Sequence, residues 1–196
     1  MNFHSIQPFK LERYFAKYEF KVNYLLSPSD CESLTLTELL AMADPLSQGL
    51  WNNLRLGYTE SNGNPLLRHE ISQLYTQICP QQILVAAPEE AILLAMQAIL
   101  NPADHVISIF PAYQSLYEIA QSMGVDVSFW QIKESQSGWT LNLDELEALI
   151  RPNTRLLVVN FPHNPTGYQP QPEDYQKLIE FARQHNLYLF CDEMYR

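Results

Sequence analysis

The polar residues best suited to chemistry fall in three short motifs. Asn160-Phe161-Pro162-His163-Asn164-Pro165-Thr166-Gly167 carries amides and an imidazole. Asp192-Glu193-Met194-Tyr195 carries carboxylates and a phenol, and Pro111-Ala112-Tyr113 sets an aromatic ring behind a proline. Groups of these kinds pair with charge, donate and accept hydrogen bonds, or stack on flat rings. Taken singly, each motif has a plainer reading. Asn-Pro and Thr-Gly are ordinary turn chemistry, a strand-terminal Asp often caps a helix, and a Tyr after a Pro is often core or rim. His163, beside Asn164, reads as structural rather than as a catalytic base. Cys31, Cys79 and Cys191 are odd in number and far apart, which fits neither a metal knuckle nor a disulfide framework.

The elements that must position these motifs alternate between strand and helix. ILVAA (83–87), HVISIF (105–110), VDVSFWQI (125–132), RLLVVNF (155–161) and LYLFC (187–191) read as strands. Between them the spacing predicts helices over EEAILLAMQAIL, AYQSLYEIAQSM (ended by Gly124), LNLDELEALI (capped by Asn142) and PEDYQKLIEFARQHN (opened by Pro172). Such alternation predicts an α/β layered domain with a largely parallel sheet. Ligands on these sheets sit beyond the carboxyl ends of the strands. Ala87, Phe110, Asn160 and Cys191 mark those ends, and the three motifs follow three of them. Upstream, Phe9 to Phe20 has a helical apolar face, and Leu34–Ala43 reads as a helix capped by Ser33 or Thr35 and ended at Asp44-Pro45. Residues 57–64 form a loop, and Pro65 opens a helix to about Tyr75.

Composition bounds the partners. The 196 residues are 46% hydrophobic and carry a net charge of −10, so there is apolar material for a core and an acidic surface. That surface argues against nucleic acid and anionic membrane as partners. No apolar run reaches the length of a membrane span, and the N-terminus lacks the pattern of a secretory signal, so a cytoplasmic location is expected.

Together, in this order and each at a strand end, the motifs resemble the large domain of class I/II aminotransferases, the fold-type I enzymes that use pyridoxal 5'-phosphate. The resemblance runs from about Tyr58 to Arg196, and the H-N-P-T-G and D-E-x-Y pair is its most specific part. It implies a three-layer αβα fold, with residues 1–50 as a helical N-terminal segment belonging to the small domain and substrate lid, and 51–196 as part of the cofactor-binding large domain. It implies a reaction moving an amino group between an amino acid and a 2-oxo acid. The roles carry over by position. Asp192 matches the carboxylate that keeps the pyridine nitrogen protonated. Tyr195 and Asn164 match the phenol and amide that donate to the ring's 3-oxygen, and Tyr113 the aromatic that stacks on the ring. Tyr58 matches a residue that reaches the neighbour's cofactor phosphate across a homodimer interface; simple packing is an equal reading. Ser29, Asp30 and Glu32 lie where members bring a segment over the substrate, although a solvated loop with a helix cap is the plainer reading. Arg55 and Arg68 read as helix-surface residues.

The sequence departs from the family pattern at the phosphate cup. The expected Gly-Ala-(Thr/Ser)-Glu-Ala is replaced by Ala87-Pro88-Glu89-Glu90-Ala91. Pro88 has no N–H to offer and Glu89 brings a negative charge near a dianion. Two readings stay open: the Glu89 backbone N–H serves while its side chain turns to solvent, or the phosphate site is weakened. The family's Schiff-base lysine is expected beyond Arg196. Lys10, Lys17, Lys21, Lys133 and Lys177 are the only lysines here, and none matches it. The expectation is an N-terminal fragment, with later strands and the C-terminal small domain missing, residues 83–87 without a pairing neighbour, and no activity alone. A lyase, synthase or oxidase of the same fold, or a non-catalytic remnant, are the alternatives.

Overall fold

Apolar runs flanked by turn residues become the strands of one sheet in the computed structural model, which describes residues 6–136 and 138–196. Two compact units emerge. The first contains Pro88–Arg196 together with the N-terminal segment as far as Ser29, and the second is Asp30–Ala87.

The N-terminal segment of the first unit holds α1 (Lys10–Tyr18). From Pro88 onward come α5 (Pro88–Ile99), β1 (His105–Phe110), α6 (Ser115–Ser122) and β2 (Asp126–Gln131). A hairpin of β3 (Lys133–Ser135) and β4 (Gly138–Thr140) follows, then α7 (Leu143–Ala148), β5 (Thr154–Asn160), α8 (Pro172–Gln184) and β6 (Tyr188–Asp192). The main sheet runs β2-β1-β5-β6 and every pair in it is parallel. β5 is a near-continuous apolar run because it is buried on both faces. Its successive residues feed opposite layers. Leu156 and Val158 join Val106, Met96, Leu116 and Ala120 against α5 and α6. Leu157 and Val159 join Ile107, Ile109, Trp130, Leu146 and Leu178 against α7 and α8. Leu156–Val159 are all 0% exposed; burying four such side chains stabilises the fold by roughly 6–12 kcal/mol before the cost of ordering them. The three-layer α/β reading is met.

The second unit contains α2 (Leu36–Ala41), α3 (Pro45–Asn52), α4 (Pro65–Ser72) and a 3-10 turn at Pro80–Gln82. Thr35, not Ser33, caps α2, in a reciprocal box with Glu38. Asp44-Pro45, expected only to end a helix, also begins α3: the Asp44 side chain accepts from the Ser47 N–H and Pro45 sits where its missing N–H costs nothing. Arg68 donates twice to the Pro80 carbonyl, at 2.9 and 2.7 Å, which fastens α4 to the 3-10 turn.

One reading needs correction. ILVAA is extended at Ile83 but forms no strand; a strand exists only where another pairs with it, and none does among the described residues. Its lack of a pairing neighbour was expected; Val85 N–H donates to the Asn62 carbonyl instead, at 3.0 Å. The β3–β4 hairpin lies between the third expected strand and the third expected helix, where no element was assigned. Residues 1–5, part of the start read as lacking a secretory signal, and Ser137 lie outside the described residues.

Candidate functional site

Parallel strands all deliver their carboxyl ends to one edge, so the loops after β1, β5 and β6 meet there. Asn160 ends β5 as the one polar residue after an apolar run, and it is 1% exposed. Burial of an amide is tolerable only with its partners satisfied. Its Oδ1 accepts from the Asn164 N–H at 2.8 Å, and its Nδ2 donates to the Asp192 carbonyl at 3.1 Å. A single side chain thereby sets the Asn164 loop against the end of β6.

His163 does the same between the β5 loop and the β1 loop. It is 2% exposed. Its Nε2 lies 2.7 Å from the Pro111 carbonyl, which can only accept, so Nε2 carries the proton. Nδ1, 2.7 Å from Thr166 Oγ1, then accepts from that hydroxyl. The ring is neutral, and burial pushes its pKa below the ordinary histidine value, against the Pro111 hydrogen bond that raises it. The structural reading of His163 is met, and the residue ties the turn carrying Asn164 to the turn carrying Tyr113. The peptide bonds before Pro111, Pro162 and Pro165 are cis.

Four residues singled out by type converge on this edge. Asp192 is half-buried, and among the described residues its carboxylate is hydrogen-bonded by the Met194 N–H, at 3.1 Å. Burial pushes its carboxyl above the ordinary Asp range, the Met194 N–H opposes this, and the charge of Glu89 adds to it. Asn164 Nδ2 donates to Tyr195 Oη at 3.4 Å, so the amide and phenol stand side by side. Tyr113 packs its ring against Phe9, centroids 4.8 Å apart. Burial first and then the Glu89 carboxylate push its phenol up to about 12.

Glu89 therefore bears on the site. It lies in the first turn of α5 behind Pro88, as the motif placed it. Its side chain is exposed, and its charge helps to push the Tyr113 phenol and the Asp192 carboxyl above their ordinary values. Tyr58 belongs to the second unit, where its side chain is fully exposed. Ser29, read as part of a solvated loop, places its Oγ 2.6 Å from Tyr195 Oη. Lys133 pairs with Glu145 at 2.6 Å and Lys177 with Asp174 at 2.8 Å, both on the surface. No cluster of metal-ligating side chains exists among the described residues.

The arrangement suits the ring of pyridoxal 5'-phosphate. A half-buried carboxylate whose pKa is raised, with no cation against it among the described residues, is relieved by a pyridinium N–H. An amide and a phenol 3.4 Å apart suit one anionic ring oxygen. At the start of α5, where the resemblance implies a phosphate cup, Pro88 lacks a donor and Glu89 is an acid.

Comparisons with known proteins give the family. Residues 32–196 match the family described as aminotransferase class I and II. The chain is 34% identical over 145 residues to an aspartate aminotransferase of Sulfurisphaera tokodaii, an alignment covering 71% of this chain and 36% of that protein. It is likewise 34% identical over 145 residues to the glutamate-pyruvate aminotransferase AlaA of Escherichia coli, again covering 71% and 36%. A crystal structure of a PLP-dependent aminotransferase from Streptococcus suis superposes with a TM-score of 0.89 at 35% identity, covering 98% of this chain and 52% of that one. The chain thus spans only about a third to a half of the length of the proteins it matches.

Proposed function

This chain belongs to the aminotransferase class I and II family, and on that premise we propose that it supplies the ring-binding part of a pyridoxal 5'-phosphate site for transfer of an amino group between an amino acid and a 2-oxo acid. The observation that carries the proposal is the meeting of Asp192 with the Asn164–Tyr195 pair at the carboxyl ends of β5 and β6. When bound, the protonated pyridine ring supplies an electron sink for charge developing at a substrate carbon. The protein's part is to hold that ring in its working state. Asp192 holds the proton on the ring nitrogen. Asn164 and Tyr195 donate to the 3-oxygen from adjacent positions, and Tyr113 offers an aromatic face. Pro88 and Glu89 stand at the phosphate end, where the Glu89 backbone N–H is the available donor. Tyr58 acts from a second copy of the chain in a homodimer, 1–50 belongs to the small domain and lid, and 51–196 to the large domain. The setting is cytoplasmic, with no nucleic-acid or membrane partner.

Equilibrium binding of pyridoxal 5'-phosphate to the chain, followed by quenching of tryptophan fluorescence, tests the proposal. Asp192→Asn removes the carboxylate but keeps the shape. A charge-assisted hydrogen bond of about 1.5–3 kcal/mol corresponds to binding weaker by about 10- to 100-fold. Unchanged affinity in that variant, or no binding by the unaltered chain, refutes it. Borohydride treatment of the mixture is expected to leave all five lysines unmodified.

A further inference from the structure

The N-terminal segment is fastened to the candidate site at both of its ends. At its start, the Gln7 N–H donates to Glu118 Oε1 at 2.9 Å and the Lys10 N–H to Gln114 Oε1 at 3.1 Å. Gln114 Nε2 returns a hydrogen bond to the Pro8 carbonyl at 3.2 Å. These bonds hold Phe9 against the ring of Tyr113. At its end, Ser29 Oγ lies 2.6 Å from Tyr195 Oη. Contacts spanning more than a hundred residues thus tie residues 7–29 to two side chains assigned to the cofactor ring.

The Ser29–Tyr195 contact has a direction to decide, because a phenol has one proton and two acceptor positions. Asn164 Nδ2 can only donate, so it fills one acceptor position of Tyr195 Oη. If Tyr195 gave its proton to Ser29, the phenol would have none for a ligand. If Ser29 donates instead, both acceptor positions are filled by protein donors. The phenol's single proton is then left pointing at whatever anionic oxygen occupies the site.

We propose that Ser29 is a positioning residue for Tyr195: its hydroxyl donates to the phenol oxygen, so that docking of residues 7–29 and capture of the cofactor's 3-oxygen reinforce each other. This rests on the assignment of Tyr195 to that oxygen. The segment then acts as a strap whose closure turns a hydroxyl into a directed donor, and a ligand that takes the Tyr195 proton tightens the strap in return. Ser29 touches neither ligand nor reacting atoms in this scheme; it works through Tyr195.

Two measurements on the full chain test it. The first needs no ligand. Hydrogen–deuterium exchange over residues 19–29 is compared in the unaltered chain, Ser29→Ala, Tyr195→Phe and the double variant. One hydrogen bond at the surface corresponds to exchange faster by about three- to ten-fold. Each single variant is expected to show it, and the double variant to show no more. Unchanged exchange, or effects that multiply in the double variant, overturns the contact. The second measurement uses pyridoxal 5'-phosphate and its 3-deoxy analogue as probes. Ser29→Ala is expected to weaken binding of the first by about three- to ten-fold. It should also move the pH titration of that probe's bound absorbance band upward. Binding of the analogue, which lacks the 3-oxygen, is expected not to change, and Ser29→Thr restores both properties. Equal weakening for both probes overturns the positioning role and leaves a packing role. Failure of the unaltered chain to bind either probe overturns the cofactor assignment itself, a result distinct from failure of the exchange cycle.

Discussion

Replacing His163 by Ala removes a side chain that joins the Asn164 turn to the Tyr113 turn, and its cost follows from its contacts. Two hydrogen bonds are lost, each 2.7 Å long and each worth about 1 kcal/mol net. The Pro111 carbonyl and Thr166 hydroxyl are left under-satisfied in a largely buried setting, and the imidazole leaves a void, together adding about 1–2 kcal/mol. The expected loss is about 3–4 kcal/mol near pH 7.5, measured by urea unfolding followed through tryptophan fluorescence. The pH dependence gives a sharper check. His163 is neutral in the folded chain and its pKa is depressed by burial, whereas in the unfolded chain it titrates near 6.5. Below that pH the unfolded state takes up a proton that the folded state refuses, so stability falls as pH drops from about 6.5, by at most about 1.4 kcal/mol per pH unit for this residue. The variant has no such proton to lose. Its deficit relative to the unaltered chain should therefore shrink between pH 7.5 and 5. A deficit under about 1 kcal/mol at pH 7.5, or one that stays constant with pH, refutes the reasoning.

Three further outcomes are expected. His105, fully buried and hydrogen-bonded at both nitrogens to Thr154 and Ser128, is also held below its ordinary pKa by burial and by Arg151; His105→Gln should therefore reduce the acid sensitivity that remains in His163→Ala, and an unchanged pH profile would count against it. Gly63 sits at φ 100°, and a Cβ there would meet Val85 Cγ2 at 2.5 Å and Cβ at 2.6 Å, so Gly63→Ala should cost about 2–4 kcal/mol and raise exchange around residues 62–85, with under 1 kcal/mol as the contrary result. Trp130, 2% exposed, donates from Nε1 to the Asn142 carbonyl at 2.9 Å; Trp130→Phe should lower the urea midpoint by an amount equal to about 2–3 kcal/mol, and an unshifted midpoint would show that neither bond nor volume matters.

Much of the sheet was legible because β1 matches the run HVISIF residue for residue and β5 lies within one residue of RLLVVNF, runs whose β-branched density suits strands buried on both faces. ILVAA is apolar too and is not a strand, because composition says only that a segment suits pairing and the partner must come from elsewhere. α3 was hidden because Asp44-Pro45 is equally good as a stop and as a start. In the site, Asp192, Asn164, Tyr195 and Tyr113 were legible through motif order. Asn160 was marked only as a strand end, and Ser29 was read as solvated loop or as part of a segment over the substrate; the contacts they make were not foreseen. The signal for Asn160 was a lone amide ending an apolar strand; nothing in the sequence pointed from Ser29 to Tyr195, 166 residues away. Two readings of Glu89 stayed open; its side chain is exposed, as suits a first-turn acid at a helix dipole, while its charge still acts on Tyr113 and Asp192.

The strand order β2-β1-β5-β6 also sets an order of assembly. β1 meets β2 across 21 residues, from His105 to Asp126, but meets β5 only across 49, from His105 to Thr154. Closing the longer loop costs about 0.7 kcal/mol more chain entropy, from (3/2)RT ln(49/21). A chain made from its N-terminus therefore joins β1, α6 and β2 while β5 and β6 are still to come. Until β5 arrives, β1 keeps one edge open, and the apolar faces that feed both layers stay wet. The interval between emergence of residues 131 and 154 from the ribosome is when this chain most needs shielding, and chains stalled with β2 outside and β5 still inside should bind a holdase chaperone more than the released chain.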